Sequence, residues 1–233
     1  MAQLTLRIKV EGTSTMLTSS VPMAPRSKRE KSASCRYARD AAKTTNMSIR
    51  IEDYALIGNT YTAALVGRDG SIDWLCMPRF DSGACFATLL GTADNGRWLI
   101  APAAEVKTVR RKYRGDTLVL ETEFELAGGE RVAIIDFMPI CEREGRIDLI
   151  RIIEGRRGTV PMQMEAVFRF DYGRIIPWVR RRDYGISAVA GPDALQLRTP
   201  VQPPRCRNGS GACATGITAT AGCATQPLRS TRC

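Results

Sequence analysis

The chain has 233 residues, enough for one good-sized domain, and its 44% hydrophobic content is ordinary for a globular protein. Its formal charge of +10 points at first toward nucleic acid, but residues 1–46 carry +6, residues 201–233 carry +4 and residues 47–200 balance at zero. The sequence contains no histidine, which excludes Ser-His and Cys-His triads and histidine-ligated metals from this chain.

Residues 1–46 open on an alternating run, Leu4-Thr5-Leu6-Arg7-Ile8-Lys9-Val10, and then pass into Ser, Thr, Pro, Arg and Lys. Such a stretch buries too little apolar surface to offset the entropy of ordering it, so a disordered extension is expected. It is Arg- and Ser-rich and acid-poor, as transit peptides are, yet it lacks an amphipathic helical period. The favoured expectation is that Met47 is the true start.

From Met47 to Pro200 the pattern turns to period two, and the expected fold class is all-β, an antiparallel β-sandwich. Leu118, Leu120, Thr122, Phe124 and Leu126 alternate with Glu121, Glu123 and Glu125. Met162, Met164, Ala166, Phe168 and Phe170 alternate with Gln163, Glu165, Arg169 and Asp171. Both runs describe half-buried antiparallel strands with an apolar face inward. Residues 131–140, 147–154 and 194–198 are further strand candidates, with turns at Gly128-Gly129, Glu144-Gly145, Arg157-Gly158 and Gly191-Pro192. Residues 84–90 read as a short helix closed by Gly91. No run approaches the roughly 20 apolar residues of a membrane helix, and no membrane partner is expected.

The chemistry-bearing stretch is Gly70–Ser82, GSIDWLCMPRFDS. Asp73 and Asp81 stand out as loop acids, Trp74 offers a plate for a sugar ring, and Arg79 with Asp81 could bond its hydroxyls. The competing reading makes Trp74 a core residue and Arg79–Asp81 a pair that pins the loop. Most other carboxylates alternate with apolar positions and read as a solvated sheet face. Arg180-Arg181-Arg182, between Asp171-Tyr172-Gly173 and Asp183-Tyr184-Gly185, reads as an exposed loop of solvated arginines rather than a nucleic-acid patch.

The eight cysteines form no C-x-x-C pair, and Cys76, Cys85 and Cys141 read as buried free thiols. No metal site or cofactor is expected, and a cytoplasmic location is. After Pro200 the chain has no acid and no aromatic residue. Residues 201–233 are expected to form an unstructured tail, resembling an out-of-frame reading of GC-rich coding DNA.

Taken together, residues 53–91 (DYALIGNTYTAALVGRDGSIDWLCMPRFDSGACFATLLG), GRWLIAP, RKYRGDTLVLETEFEL, IIDFMPI and RFDYG with PWV resemble the N-terminal β-domain of glycoside hydrolase family 15, the bacterial glucoamylase and trehalase-like group. The resemblance spans about residues 50–198. It implies a β-supersandwich that precedes an (α/α)6 barrel, and in that barrel lie the two glutamates that hydrolyse α-glucosidic bonds by inversion. Neither glutamate maps onto this chain, so no catalytic residue is assigned. Asp73, Trp74, Arg79 and Asp81 match the family's loop and are carried as a sugar-proximal group.

The resulting expectation is a truncated, non-catalytic domain, with an α-glucoside or trehalose as the ligand of the complete enzyme. Self-association through the face a barrel would cover is expected as well. A stand-alone carbohydrate-binding module is the alternative. A basic nucleic-acid binder is the third reading, and it is disfavoured by the neutral middle.

Overall fold

The computed structural model describes residues 3–11, 49–140, 146–183, 185–199, 205–206 and 211–220. Sixteen strands run in chain order: β1 Gln3–Glu11, β2 Tyr54–Gly58, β3 Ala63–Gly67, β4 Ser71–Cys76, β5 Ala84–Ala87, β6 Arg97–Pro102, β7 Val106–Tyr113, β8 Leu120–Leu126, β9 Arg131–Phe137, β10 Arg146–Arg157, β11 Thr159–Val167, β12 Trp178–Arg182, β13 Gly185–Ala190, β14 Asp193–Arg198, β15 Arg205–Cys206 and β16 Ala212–Thr220. Apart from three short 3-10 turns, no helix occurs among the described residues.

The strands form two open sheets. The first has the order β12-β13-β14-β1-β10-β9-β8-β7; the second has β15-β16-β11-β6-β4-β3-β2, with β5 also paired to β4. Their inner faces share one apolar core, to which Ile72, Leu75, Trp98 and Ile100 contribute from the second sheet and Val132, Ile134, Leu149 and Ile153 from the first. The expected all-β sandwich is the observed fold, and pairing is antiparallel throughout except at β1.

Alternation explains most of the sheet. On β11, Val160, Met162, Met164 and Ala166 are buried while Thr159, Pro161 and Gln163 are exposed. On β8, Leu120, Thr122, Phe124 and Leu126 face inward. Leu118 precedes the strand and is exposed, since pairing with β9 begins only at Leu120. The glutamates of the other face meet cations: Lys112 lies opposite Glu121 and Arg110 opposite Glu123 across β7–β8. Burial pushes the Glu121 carboxyl up, but Arg114, Arg156 and Lys112 outweigh it and hold the group below its ordinary value. Lys112 and Arg110 are themselves largely exposed, and pairs with one solvated partner contribute about 1 kcal/mol each.

Across the core runs one charged contact. Arg151 on β10 lies directly opposite Asp136 on β9, and both side chains are buried. Arg151 Nε and Nη2 donate to the two Asp136 carboxylate oxygens at 2.8 and 3.1 Å. Its Nη1 donates to the Trp98 carbonyl at 2.9 Å and Nη2 to the Gly70 carbonyl at 2.7 Å, both in the second sheet. The guanidinium also lies 5.2 Å from the centroid of the Trp98 ring. Gly70 turns β3 into β4 at a φ of +86°, and a Cβ there would collide with the Ile100 carbonyl oxygen, so only glycine fits.

Four expectations need correction. Residues 84–87 are a strand, because β4 offers them a pairing edge that burial of all four side chains rewards more than a helical turn; only residues 88–90 form a 3-10 turn. Arg180, Arg181 and Arg182 lie on a strand rather than in a loop, paired with Ser187, Ile186 and Gly185, though their side chains are exposed as expected. Within the expected N-terminal extension, β1 pairs in parallel with β10 and β14, so its partners lie far along the chain. Within the expected C-terminal tail, β16 pairs with the whole of β11 and β15 pairs with β16. Backbone hydrogen bonds to an existing edge compensate there for a sequence of small residues. Residues 12–48 and 221–233, and with them the proposed Met47 start, lie outside the described residues.

Asp136→Ala leaves Arg151 buried and unpaired, and is expected to cost about 3–5 kcal/mol in urea denaturation, against under about 1 kcal/mol for Arg79→Ala at an exposed pair. A chain lacking residues 1–46 opens the β10 and β14 edges and is expected to self-associate more than the full chain in analytical ultracentrifugation. Equal monomer content would show that β1 is dispensable.

Candidate functional site

The Gly70–Ser82 stretch is divided by the structure into a strand and a loop. On β3–β4 the register jumps: Leu65 faces Trp74 while Val66 faces Ile72. Asp73 is therefore the extra residue of a β-bulge, and bulges re-aim side chains. Ile72 and Leu75 consequently both enter the core, whereas Trp74 packs with the separate cluster of Cys76, Ala84 and Ala87.

Asp73 is not a loop acid. It is buried, and its carboxylate accepts hydrogen bonds from the Ser71 hydroxyl and from the Tyr54 hydroxyl, the latter at 2.8 Å. Burial, this hydrogen bond and the nearby Asp73 and Asp69 charges together push the Tyr54 phenol well above its ordinary value. Asp73 thus serves β4 and β2 and is closed to a ligand.

The loop that follows β4 begins with a cis Met77–Pro78 bond and carries Arg79, Phe80 and Asp81. Arg79 Nε and Nη2 donate to Asp81 at 3.0 and 3.3 Å, with both side chains about 70% exposed. Phe80 N–H donates to the Tyr61 carbonyl at 3.1 Å, joining this loop to the β2–β3 turn. The segment after β11 joins from the other side. Tyr172 N–H donates to the Ala84 carbonyl at 3.2 Å, its hydroxyl donates to the Ser82 carbonyl at 3.4 Å, and its ring meets Trp74 at 6.0 Å and 41°.

Three loops therefore converge at one end of the second sheet. Thr60, Asp171 and Tyr172 all have left-handed backbones, at φ of 76°, 48° and 58°. Such non-glycine conformations cost roughly 1–2 kcal/mol each and persist only where surrounding contacts impose them. The loops expose Tyr61, Phe80, Tyr172, Ile175 and Ile176. Their acids are each paired, Asp81 with Arg79 and Asp171 with Arg174. The arrangement offers aromatic and aliphatic contact surface and a few polar groups. No group of three or more metal-ligating side chains occurs among the described residues.

Of the four residues expected near a sugar, Arg79 and Asp81 are open, Trp74 is half-covered by Tyr172, and Asp73 is enclosed. Neither Tyr61 nor Tyr172 stands out in the sequence as a ligand contact, Tyr172 falling in an Asp-Tyr-Gly turn and in the RFDYG motif. The left-handed backbones of Asp171 and Tyr172 belong to the structure, and no sequence signal announces them. Cys76 and Cys85 are buried free thiols, as expected, and burial pushes both thiols up. Cys213 is disulfide-bonded, and Cys141 lies outside the described residues.

The fold and this loop cluster define a two-sheet β-domain with an exposed rim at one end. The chain belongs to the trehalase-like N-terminal domain family, whose pattern matches residues 39–213. It is 32% identical over 152 residues to a protein named trehalase from Thermoplasma volcanium, covering 64% of this chain and 24% of that protein. It is 39% identical over 132 residues to trehalase 1 of Sulfolobus acidocaldarius, covering 56% and 22%. To the trehalase of Mycobacterium tuberculosis it is 27% identical over 141 residues, covering 54% and 21%. The chain thus spans about a quarter of the length of the curated relatives it matches. No solved structure matches it.

Tyr54→Phe removes a hydrogen bond to a carboxylate at a half-buried site and is expected to cost about 1–2 kcal/mol at pH 7. Because the folded-state phenol is raised, its contribution is fully present below the unfolded value near pH 10 and fades as pH climbs beyond it. The stability gap between wild type and Tyr54→Phe, followed by denaturation from pH 8 to 11.5, should therefore narrow only above about pH 10. A gap that narrows below pH 9 would contradict this.

Proposed function

We propose that this chain is the non-catalytic N-terminal β-domain of a trehalase-like hydrolase of glycoside hydrolase family 15, the glucoamylase-like group. In the complete enzyme a separate barrel hydrolyses an α-glucosidic bond, that of trehalose or a related α-glucoside, by inversion. The observation that carries this reading is the alignment of the chain with three or more trehalases over only about a quarter of their length.

The state of the carboxylates supports it. Glycosidic hydrolysis requires an acid and a base flanking the sugar, about 5–10 Å apart. Here the buried acids are committed elsewhere: Asp73 to Tyr54 and Ser71, Glu121 to Arg114, Asp136 to Arg151 and Asp148 to Arg146. The loop acids Asp81 and Asp171 are each held by an arginine. On this reading Arg79, Asp81 and the half-covered Trp74 form part of a rim beside a sugar site completed by the barrel.

The exposed side chains of Tyr61, Phe80, Ile175 and Ile176 supply an apolar surface for that barrel, and in its absence copies of the chain meet through it. Residues 47–200 carry no net charge to draw nucleic acid, and on this reading the protein acts in the cytoplasm.

The pure 233-residue chain is expected to release no glucose from trehalose or maltose in a coupled assay run at pH 4 to 8; measurable turnover would refute the proposal. Calorimetry with maltooligosaccharides belongs beside it. Binding heat that disappears in Trp74→Ala would instead make the chain a carbohydrate-binding module in its own right.

A further inference from the structure

The outer face of β12–β14 lies at the far edge of the first sheet and takes no part in the loop cluster. Register lines its residues up in three rows. Trp178, Val189 and Ala194 form the first row, Arg180, Ser187 and Gln196 the second, and Arg182, Gly185 and Arg198 the third. The alternate residues Ile186, Ala188, Leu195 and Leu197 point into the core, which fixes the three rows as the outward set.

The third row has a gap at its centre. Gly185 has no side chain, and its φ of +155° with the Leu197 carbonyl oxygen packed against it leaves room for none. Arg182 and Arg198 flank this bare backbone two strand spacings apart, roughly 10 Å between Cα atoms. A cleft of about 700 Å³ opens over it, lined by Arg182, Asp183, Gly185, Ser187, Gln196 and Arg198 among others. That is within the range of small-molecule sites.

Its charges are not neutralised. Arg110, Arg131, Arg146, Arg151 and Arg156 of β7–β10 have carboxylate partners, whereas Arg181, Arg182 and Arg198 make no ion pair among the described residues, and Arg198 donates to Gln196 Oε1 at 3.3 Å. Arg180 instead stacks 3.8 Å over the Trp178 ring, which closes the apolar end of the face. Two arginine forks across a gap suit the oxygens of a tetrahedral anion, and each fork can bond it in bidentate fashion. Ser187 and Gln196, half-buried in the neighbouring row, supply neutral donors and acceptors of the kind that hydroxyl groups need.

We propose that this cleft binds a small phosphate monoester bearing hydroxyl groups, its phosphate held over Gly185 between Arg182 and Arg198 and its hydroxyls bonded to Ser187 and Gln196. The proposal stands on this face alone and does not depend on the trehalase-like reading.

Titration calorimetry of the full chain with glycerol 1-phosphate tests it. Saturable one-to-one binding is expected, weakened about tenfold or more in Arg182→Gln and in Arg198→Gln and unchanged in Arg79→Gln at the loop cluster. The monoester should bind more tightly than inorganic phosphate, and Gln196→Ala should remove that advantage. Affinity should rise from pH 5 to pH 7, because the ligand's second ionisation lies near pH 6 while arginine does not titrate there. Sulfate, whose charge is fixed in this range, should bind without that rise. No saturable heat, an equal loss in Arg79→Gln, equal affinity for inorganic phosphate, or a flat pH profile for the monoester would each overturn the proposal.

Discussion

One buried contact sets the relation between the two sheets. Arg151 brings a full charge into the core, where desolvation alone costs several kcal/mol. The position is tolerable because four of its donor contacts are filled, two by Asp136 and two by carbonyl oxygens of the opposite sheet. An apolar pair of similar volume would hold the sheets together about as well. What an apolar pair would lack is direction. The guanidinium fork can donate to the Trp98 and Gly70 carbonyls only where β6 and the β3–β4 turn now stand, so one sliding position of sheet on sheet is satisfied and its neighbours are not. That same turn leads straight into the bulge at Asp73, so the shape of the loop cluster descends from the core contact.

Much of this could be read before any coordinates. The period-two runs of β8 and β11 and the apolar stretches of β9 and β10 are visible as written. The central ion pair also leaves a trace in the sequence. In Ile147, Leu149, Arg151, Ile153 the arginine holds a core-facing place, and in Val132, Ile134, Asp136, Met138 so does the aspartate. Opposite charges at inward positions of consecutive strands announce a buried pair. The role of Asp73 was not legible, because its orientation depends on a register slip between β3 and β4 that no local pattern encodes. Nor was the strand at residues 84–87, since four small or apolar residues fit a helical turn equally well until a pairing edge decides. The terminal strands were obscured for another reason: their partners, rather than their composition, make them strands.

The loop cluster and the β12 edge differ in kind. At the loop cluster the acids are matched by arginines and the exposed groups are Tyr61, Phe80, Ile175 and Ile176, a surface suited to another protein surface or to a ring. At the β12 edge the arginines lack such partners, and their charge also discourages another strand from adding there. The edge at β2 is handled differently. Tyr113 of the first sheet donates its hydroxyl to the Leu56 carbonyl at 2.9 Å and accepts from the Leu56 N–H at 3.0 Å, occupying both groups that a further strand would use.

The place of β1 has a bearing on how the chain assembles. It precedes the other described strands in the chain, yet its seat lies between β14 and β10, and it runs parallel to both. The walls of that seat, β10 and β14, are both made long after β1. The first sheet must therefore wait, with two strand margins open toward each other, for a segment synthesised long before. Contacts so distant along the chain are slow to form. The interval leaves those margins available to any other extended segment that arrives first, and the protein's vulnerability to mispairing is concentrated there.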